Sequence, residues 1–552
     1  MQKISTVVLL LVGLVLIIMV SVYLVLMEFQ KKAEISVLNP YSYIPGDARL
    51  IYKTNQPLEL SANLEFLSPF PEEISDILPI NRFRNHLHKS INSPASDTQV
   101  LLHNTSLVIS WHHAPKSEKD SWLFVLAFPH RKKAEKMMMD VVKQLFPESP
   151  IERSDTANQK IYSIAPTENS RQFYLTYDKN FVIISSDKSL ILKSVNAGIN
   201  QKGVQYAQSS FSDVLASSNH TDNLLFIETS EFCGFITDYF FWDHPLSIDC
   251  SIISGWISLT VNSDEETPGF DGLLFTNKDL PGIFSTLNFQ EPTVTNIINL
   301  IPSVPSLVYH HHMPDTELFE HDFGFVLQQN KKYSLHELQK RRFSDVTGMS
   351  TDSISDYWTG ELAMVLPGEL QWENEYPVVL LGVNKFDEIL LHPGLGIFFL
   401  DSANDNEKSY LPGQLMEISI PGFFQSFTSG LIKDDLRWAI HYDEYIFASA
   451  KKENLVKYFE ILHKKNDTIV TAEDIIFTNA INDKHNIMLY YSVPVLLNAF
   501  EVMFTDRFLD LQELAMPSFP DFGQMTWQFS SGPRDRVYSE IRFKFIENQY
   551  FD

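Results

Sequence analysis

A length of 552 residues accommodates two to four domains, and 44% hydrophobic with 20% charged residues is ordinary globular usage. The formal net charge of −26, from 43 Lys and Arg against 69 Asp and Glu, sets up a field that repels phosphate backbones and anionic lipid surfaces, which argues against nucleic acid as a partner. The acidity is spread along the chain and serves solubility. Aromatics reach 13%, with 41 Phe; they point to β-rich cores, where rings pack on pleated surfaces, or alternatively to an open apolar cavity.

In chain order, a short tail (residues 1–5) precedes residues 6–27, TVVLLLVGLVLIIMVSVYLVLM, which carry no charge. As a helix this run spans roughly 33 Å at about 1.5 Å per residue, enough for a hydrocarbon core about 30 Å thick. It reads as an uncleaved transmembrane signal anchor. The alternative is a cleaved signal peptide, which has an apolar core of about 7–15 residues and a small-residue cleavage site; residues 23–29 (YLVLMEF) lack such a site. Lys3 on one side nearly balances Lys31 and Lys32 on the other. The short tail and large body favour an orientation with the body outside the cytoplasm, on the periplasmic side. Residues 28–40 form a linker with no long low-complexity stalk, which keeps the body near the bilayer.

The body repeats itself. Residues 44–52 (IPGDARLIY) read again as 301–309 (IPSVPSLVY), 107–109 as 362–364, and 122–126 as 376–380. Residues 177–182 (YDKNFV) match 442–447 (YDEYIF), 223–226 match 486–489, and 255–259 with 270–275 match 523–527 with 538–543. The order is kept and the offsets drift only between 254 and 268, which predicts duplicated units at 41–297 and 298–552. Each opens with a Pro-led strand, followed by two strands joined by a turn (106–111 and 122–128; 361–366 and 377–383). Helices are predicted next, at 131–145 and 385–391. Short polar connections then mark hairpins at 173–185 and 438–449, followed by helices at 187–197 and 453–463. A strand (223–228; 486–491), an apolar helical stretch and a last hairpin close each unit. In the second unit that stretch is 493–516, with Leu497, Phe500, Phe504, Phe508 and Leu511 in one stripe. The expected fold is therefore α+β: an N-terminal transmembrane helix followed by two tandem repeats of antiparallel sheet with covering helices.

The densest potential ligand cluster is His310-His311-His312, with Asp315, Glu317, Glu320, His321 and Asp322 downstream. Metals need donors that converge on a point, and three consecutive His on a strand put only His310 and His312 on one face. His310, His312 and His321 are thus weak metal candidates, the alternative being a solvated strand end, and no metal or other cofactor is expected. Cys233 and Cys250, the only cysteines, would close one short disulfide loop outside the cytoplasm; the alternative is two unpaired buried thiols. Asn104, Asn219 and Asn466 begin N-x-[ST] triplets, which chance supplies at this length. Ser185 and Lys188 form an S-x-x-K pair without a K-T-G element. His86, His88, His112 and His113 have no nucleophile elbow, and Glu373 and Glu375 cannot be placed at a working separation by sequence. No catalytic residues are assigned.

The IPGDA start at residues 44–48, behind an apolar N-terminal run, and the block at residues 162–186 with its YDKNFVIISS core resemble an uncharacterised bacterial family of membrane-anchored, β-rich envelope proteins. That family is a domain of unknown function frequent in Bacteroidetes-type bacteria. The resemblance implies an envelope location and carries no catalytic residues. The expected role is a non-enzymatic binding or scaffolding module. Its expected partners are the membrane, through the N-terminal helix, and an envelope protein. A carrier of lipid or another apolar ligand is the first alternative, and an envelope hydrolase with dispersed catalytic residues the second.

Overall fold

The computed structural model describes residues 39–55, 57, 105–112, 121–128, 139, 150–156, 159–164, 172–218, 223–230, 253–262, 269–276, 281–295, 297–302, 305–367, 377–396, 399–401, 411–420, 422–428, 430–432, 436–467, 484–492, 522–532 and 536–545. The chain packs as two compact units, residues 1–62 with 82–208, and residues 63–81 with 209–552.

The first unit contains β1 (Ala48–Thr54), β2 (Ser106–His112), β3 (Ser121–Ala127), β4 (Ile151–Thr156), β5 (Gln159–Ile164), β6 (Phe173–Asp178) and β7 (Phe181–Ser185). They form an antiparallel ladder in the order β4-β5-β6-β7-β3-β2-β1. Helix α1 (Lys188–Asn200) starts where the Asp187 carboxylate accepts the Ser189 amide at 2.7 Å, an N-cap that satisfies one of the helix's orphan donors. It buries Leu190, Ile191 and Val195 and packs on β6 and β7. The short α2 (Val204–Ala207) follows. The 3-10 turn Pro40–Tyr43 is pinned to α1 at Tyr43, whose carbonyl accepts the Ser194 hydroxyl at 2.6 Å and whose own hydroxyl donates to Asp178 at 2.7 Å.

The second unit begins with α3 (Ser209–Ser217), β8 (Asn223–Glu228), β9 (Trp256–Asn262), β10 (Gly269–Phe275), β11 (Thr293–Val294) and β12 (Pro305–His312). Three helices follow: α4 (Thr316–Gln329), α5 (Tyr333–Thr347) and α6 (Thr351–Ser355). Next come β13 (Trp358–Pro367), β14 (Val378–Val383), α7 (Phe386–Leu391), β15 (Phe399–Asp401), β16 (Leu415–Ile418) and α8 (Phe423–Phe427). The chain continues through β17 (Trp438–Tyr442), β18 (Tyr445–Ser449), α9 (Lys452–Asp467), β19 (Lys484–His485), β20 (Ile487–Ser492), β21 (Phe522–Gly532) and β22 (Arg536–Phe545). The main ladder runs β8-β9-β10-β22-β21-β20-β12-β13-β14-β18-β17-β16-β15, antiparallel throughout. Its β15-to-β12 end has the same strand order as the first unit. The meanders β8-β9-β10 and β20-β21-β22 meet edge to edge, with Gly269 opposite Arg542 and Leu274 opposite Val537.

Both faces of the second unit's central strands are buried, so β14 reads VVLLGV without a polar side chain. Alternate residues serve different cores because strand side chains point to opposite faces. Val379, Leu381, Ile446 and Ala439 face a core with Phe319, Phe323 and Phe343 of α4 and α5 and Phe423 and Phe427 of α8. Val378, Leu380, Phe447 and Ile440 face another with Leu455, Tyr458, Phe459 and Leu462 of α9.

This arrangement corrects the expected α+β fold of an N-terminal transmembrane helix followed by two tandem repeats with covering helices. The chain is mostly antiparallel sheet with few helices, because successive β-branched and aromatic segments pair locally while helical stretches break early. The longest helix among the described residues, α9, has 16 residues, and none among them is long and apolar enough to cross a membrane. Residues 6–27 and the helix expected at 493–516 lie outside the described residues, as does 131–145 apart from Met139. β8–β10 belong to the second compact unit.

One backbone position holds the turn from α6 into β13. Gly360 has φ +83, a conformation that disfavours any residue with a side chain, and a Cβ there would lie 1.8 Å from the Met313 carbonyl oxygen. The Gly360 carbonyl itself accepts the Met313 amide at 2.9 Å, and the β13–β14 register shifts between Trp358 and Leu362. Gly360→Ala is expected to lower unfolding stability by about 2–4 kcal/mol, read as a fall in the urea midpoint of the full chain in detergent. An unchanged midpoint would show that the bulge relaxes around a methyl group.

Candidate functional site

A cluster of buried polar side chains in the second unit grows from β12. His310 and His312 share the strand face that looks toward α9, whereas His311 points to the opposite core. The small β11–β19 ladder sets Thr293 opposite His485 and thereby delivers Thr295 and His485 to His310. The His310 Nδ1 lies 2.8 Å from His485 Nε2, and its Nε2 lies 3.2 Å from Glu361 Oε1. Gln528 Nε2 lies 3.2 Å from His485 Nδ1. The Tyr445 hydroxyl donates to Glu361 Oε2 at 2.8 Å, and the Thr295 hydroxyl donates to Oε1.

One choice of tautomers satisfies this whole chain. Gln528 N–H donates to His485 Nδ1, His485 Nε2–H to His310 Nδ1, and His310 Nε2–H to Glu361, so the carboxylate ends the relay. Burial raises the Glu361 carboxyl, but the hydrogen bonds from His310 and the Thr295 hydroxyl overcome it and bring it down to about 2. Burial and the neighbouring Glu361 charge push the Tyr445 phenol up, so it stays a donor. His310 and His485 are fully buried and Glu361 nearly so. A carboxylate so enclosed persists because each of its two oxygens finds a donor. The network ties β12, β13, β18, β19 and β21 together.

On the other face, His311 is fully buried, edge-on to Phe319 with ring centroids 5.4 Å apart. Its Nδ1 lies 3.0 Å from the Tyr309 hydroxyl, while its Nε2 has no partner. Burial, then the adjacent His310 and His312, lower its pKa to about 3. His312 is lowered too, by burial first and His310 second, against the attraction of Glu361.

The first unit carries a second constellation. Ser110 and His112, two apart on β2, share a face; Ser110 Oγ lies 2.9 Å from His112 Nε2, and His112 Nδ1 lies 3.0 Å from Asp47 Oδ1. The His112 hydrogen bond lowers the Asp47 carboxyl against the opposing effect of burial, and Lys193, 3.7 Å away, adds to the lowering. This is the connectivity of a Ser–His–Asp triad. Ser110 has no exposed surface, however, and sits mid-ladder, opposite Ile51 on one side and Leu123 on the other. An acyl substrate has no approach to its Oγ.

The residues singled out in the sequence fall apart accordingly. His310 and His312 lie on one strand face with ring centroids 6.3 Å apart, His312 Nδ1 being 2.7 Å from the Thr293 hydroxyl. His321 stands on exposed α4 against Asp322. Among the described residues no group of three or more His, Cys, Asp or Glu is arranged to hold a metal ion. Ser185 donates to the Trp122 carbonyl at 2.7 Å and accepts the Asp187 amide at 3.0 Å, which is a turn-forming role. Cys233, Cys250, His86, His88, His113, Glu373 and Glu375 lie outside the described residues. Glu361, His485, Thr295, Tyr445 and Gln528 carry no local motif. Only the period-two alternation of β12 and β13, which sets Glu361 opposite His312, hints at the first of them. No family model matches the chain, and no curated protein or solved structure matches it.

Removing the carboxylate strands His310, Thr295 and Tyr445 in the interior, so Glu361→Ala is expected to lower stability by about 3–5 kcal/mol, measured by chemical unfolding; a loss under 1 kcal/mol would refute the network's structural role. The histidine shift has a definite sign. A His whose pKa is depressed on folding contributes stability above its unfolded value, and that stability drains away as pH falls from 6.5 toward about 3. The Glu361 contribution drains from 4.5 toward about 2. The melting temperature is therefore expected to fall as pH drops below 6.5, with a shallower fall in His311→Phe; parallel curves for the two proteins would exclude His311 as the source.

Proposed function

We propose that the chain is a non-enzymatic binding or scaffolding module held at a membrane of the cell envelope, with its body outside the cytoplasm. One observation supports the non-enzymatic part: among the described residues, the two buried clusters of titratable side chains use their polar atoms on one another inside the sheet. His485, His310 and Glu361 are enclosed with their donors, and Ser110 is sealed between neighbouring strands. Interaction is left to the surface. The uncharged run at residues 6–27 supports the membrane placement. A reporter fused after Asp552 that works only outside the cytoplasm is expected to be active; activity of a cytoplasm-only reporter instead overturns the side of the membrane.

A hydrolase is the second reading, favoured by the 2.9 Å and 3.0 Å contacts of His112 with Ser110 and Asp47. A fluorophosphonate probe separates the two. The expected result is no adduct on Ser110 in the folded chain, and a covalent adduct that disappears in Ser110→Ala would establish the hydrolase reading.

A further inference from the structure

We propose that the outward face of α5 docks on an anionic lipid bilayer. The helix is fastened to its unit by one side only: His336, Phe343 and Thr347 are buried, and Phe343 enters the core shared with Phe319 and Phe323. At 3.6 residues per turn, Leu335, Leu338, Arg342 and Val346 fall on the other side. That side is exposed, with Leu335 at 60%, Leu338 at 46% and Val346 at 48% of full accessibility. Leu335, Leu338 and Val346 thus form a stripe of exposed apolar side chains rather than being scattered singly.

The charge on this helix runs against the rest of the chain. Residues 331–347 hold five cations, Lys331, Lys332, Lys340, Arg341 and Arg342, against two acids, Glu337 and Asp345, in a protein of net charge −26. Lys340 is committed to Glu320 and lies 3.8 Å from Asp352, whereas Arg341 and Arg342 are exposed and form no ion pair among the described residues. Leu335, Leu338 and Val346 flank Arg342 on one helix face, an arrangement that suits the boundary between acyl chains and anionic headgroups. Charges within a Debye length of about 8 Å dominate contact at physiological salt, so the local cations govern docking. The acidic remainder of the body is repelled by the same surface, which turns this helix toward it.

The inference rests on the membrane placement proposed above, and the two fail separately. If the chain is absent from carbonate-washed membranes, the placement falls. The docking face is tested by hydrogen–deuterium exchange of the full chain in nanodiscs of phosphatidylcholine alone or mixed with phosphatidylglycerol. Exchange across residues 335–346 is expected to slow several-fold in the anionic discs. Leu335→Glu with Leu338→Glu, or Arg341→Glu with Arg342→Glu, should erase that difference while β13 and β14 exchange as before. Equal exchange in both lipids overturns the proposal. Protection that follows protein concentration in lipid-free detergent also overturns it, and assigns the face to a contact between copies of this chain.

Discussion

Burial of both faces of the second unit's central strands is the constraint from which its other features follow. A sheet with one wet face can alternate apolar and polar residues, but a sheet covered on both sides must carry apolar side chains at successive positions. β14 does so across its length, with Val378 and Val379 directed into different cores. Helices α4, α5 and α8 cover one face and α9 the other. Once water is excluded from both sides, any polar side chain on these strands must find its partner within the protein. The His310–Glu361 network follows directly from that requirement, and the unpartnered nitrogen of His311 marks one place where it is not met.

The same logic separates the two polar constellations from catalytic sites they resemble. A triad works because its nucleophile faces a cavity and its base takes and returns a proton there. Ser110 and His112 have the spacing but sit on a central strand, so their hydrogen bonds hold β2 to the Asp47 turn. In the second unit three donors converge on the carboxylate, and its low pKa reflects their hydrogen bonds, which outweigh burial. Among the described residues, helix α5 combines exposed leucines with a concentration of cations.

Much of the local structure was legible from the order of residues. The hairpins β6–β7 and β17–β18 appear where short polar turns part aromatic and β-branched runs, and α1 starts at the Asp187 cap. Helices α4 to α6 are not among the predicted elements. The helical signal of α4 was present in Phe319, Phe323, Val326 and Leu327 behind the Asp315 cap, whose carboxylate accepts the Leu318 amide at 2.9 Å. That helix carries His321 away from His310 and dissolves the cluster. Glu361 and His485 were illegible for a different reason: they lie 51 and 175 positions from His310, and no local pattern records such a meeting.

The sequence by itself determined which segments become strands, where hairpins turn, and the unusual charge of residues 331–347, since each depends on neighbours within a few positions. Only the tertiary structure decided that the sheet is covered on both faces, that β10 pairs with β22, and that His310 meets Glu361 rather than solvent. Strand order and face coverage arise from contacts between residues hundreds of positions apart. Their energy comes from apolar area removed from water, a quantity that exists only after the strands have met.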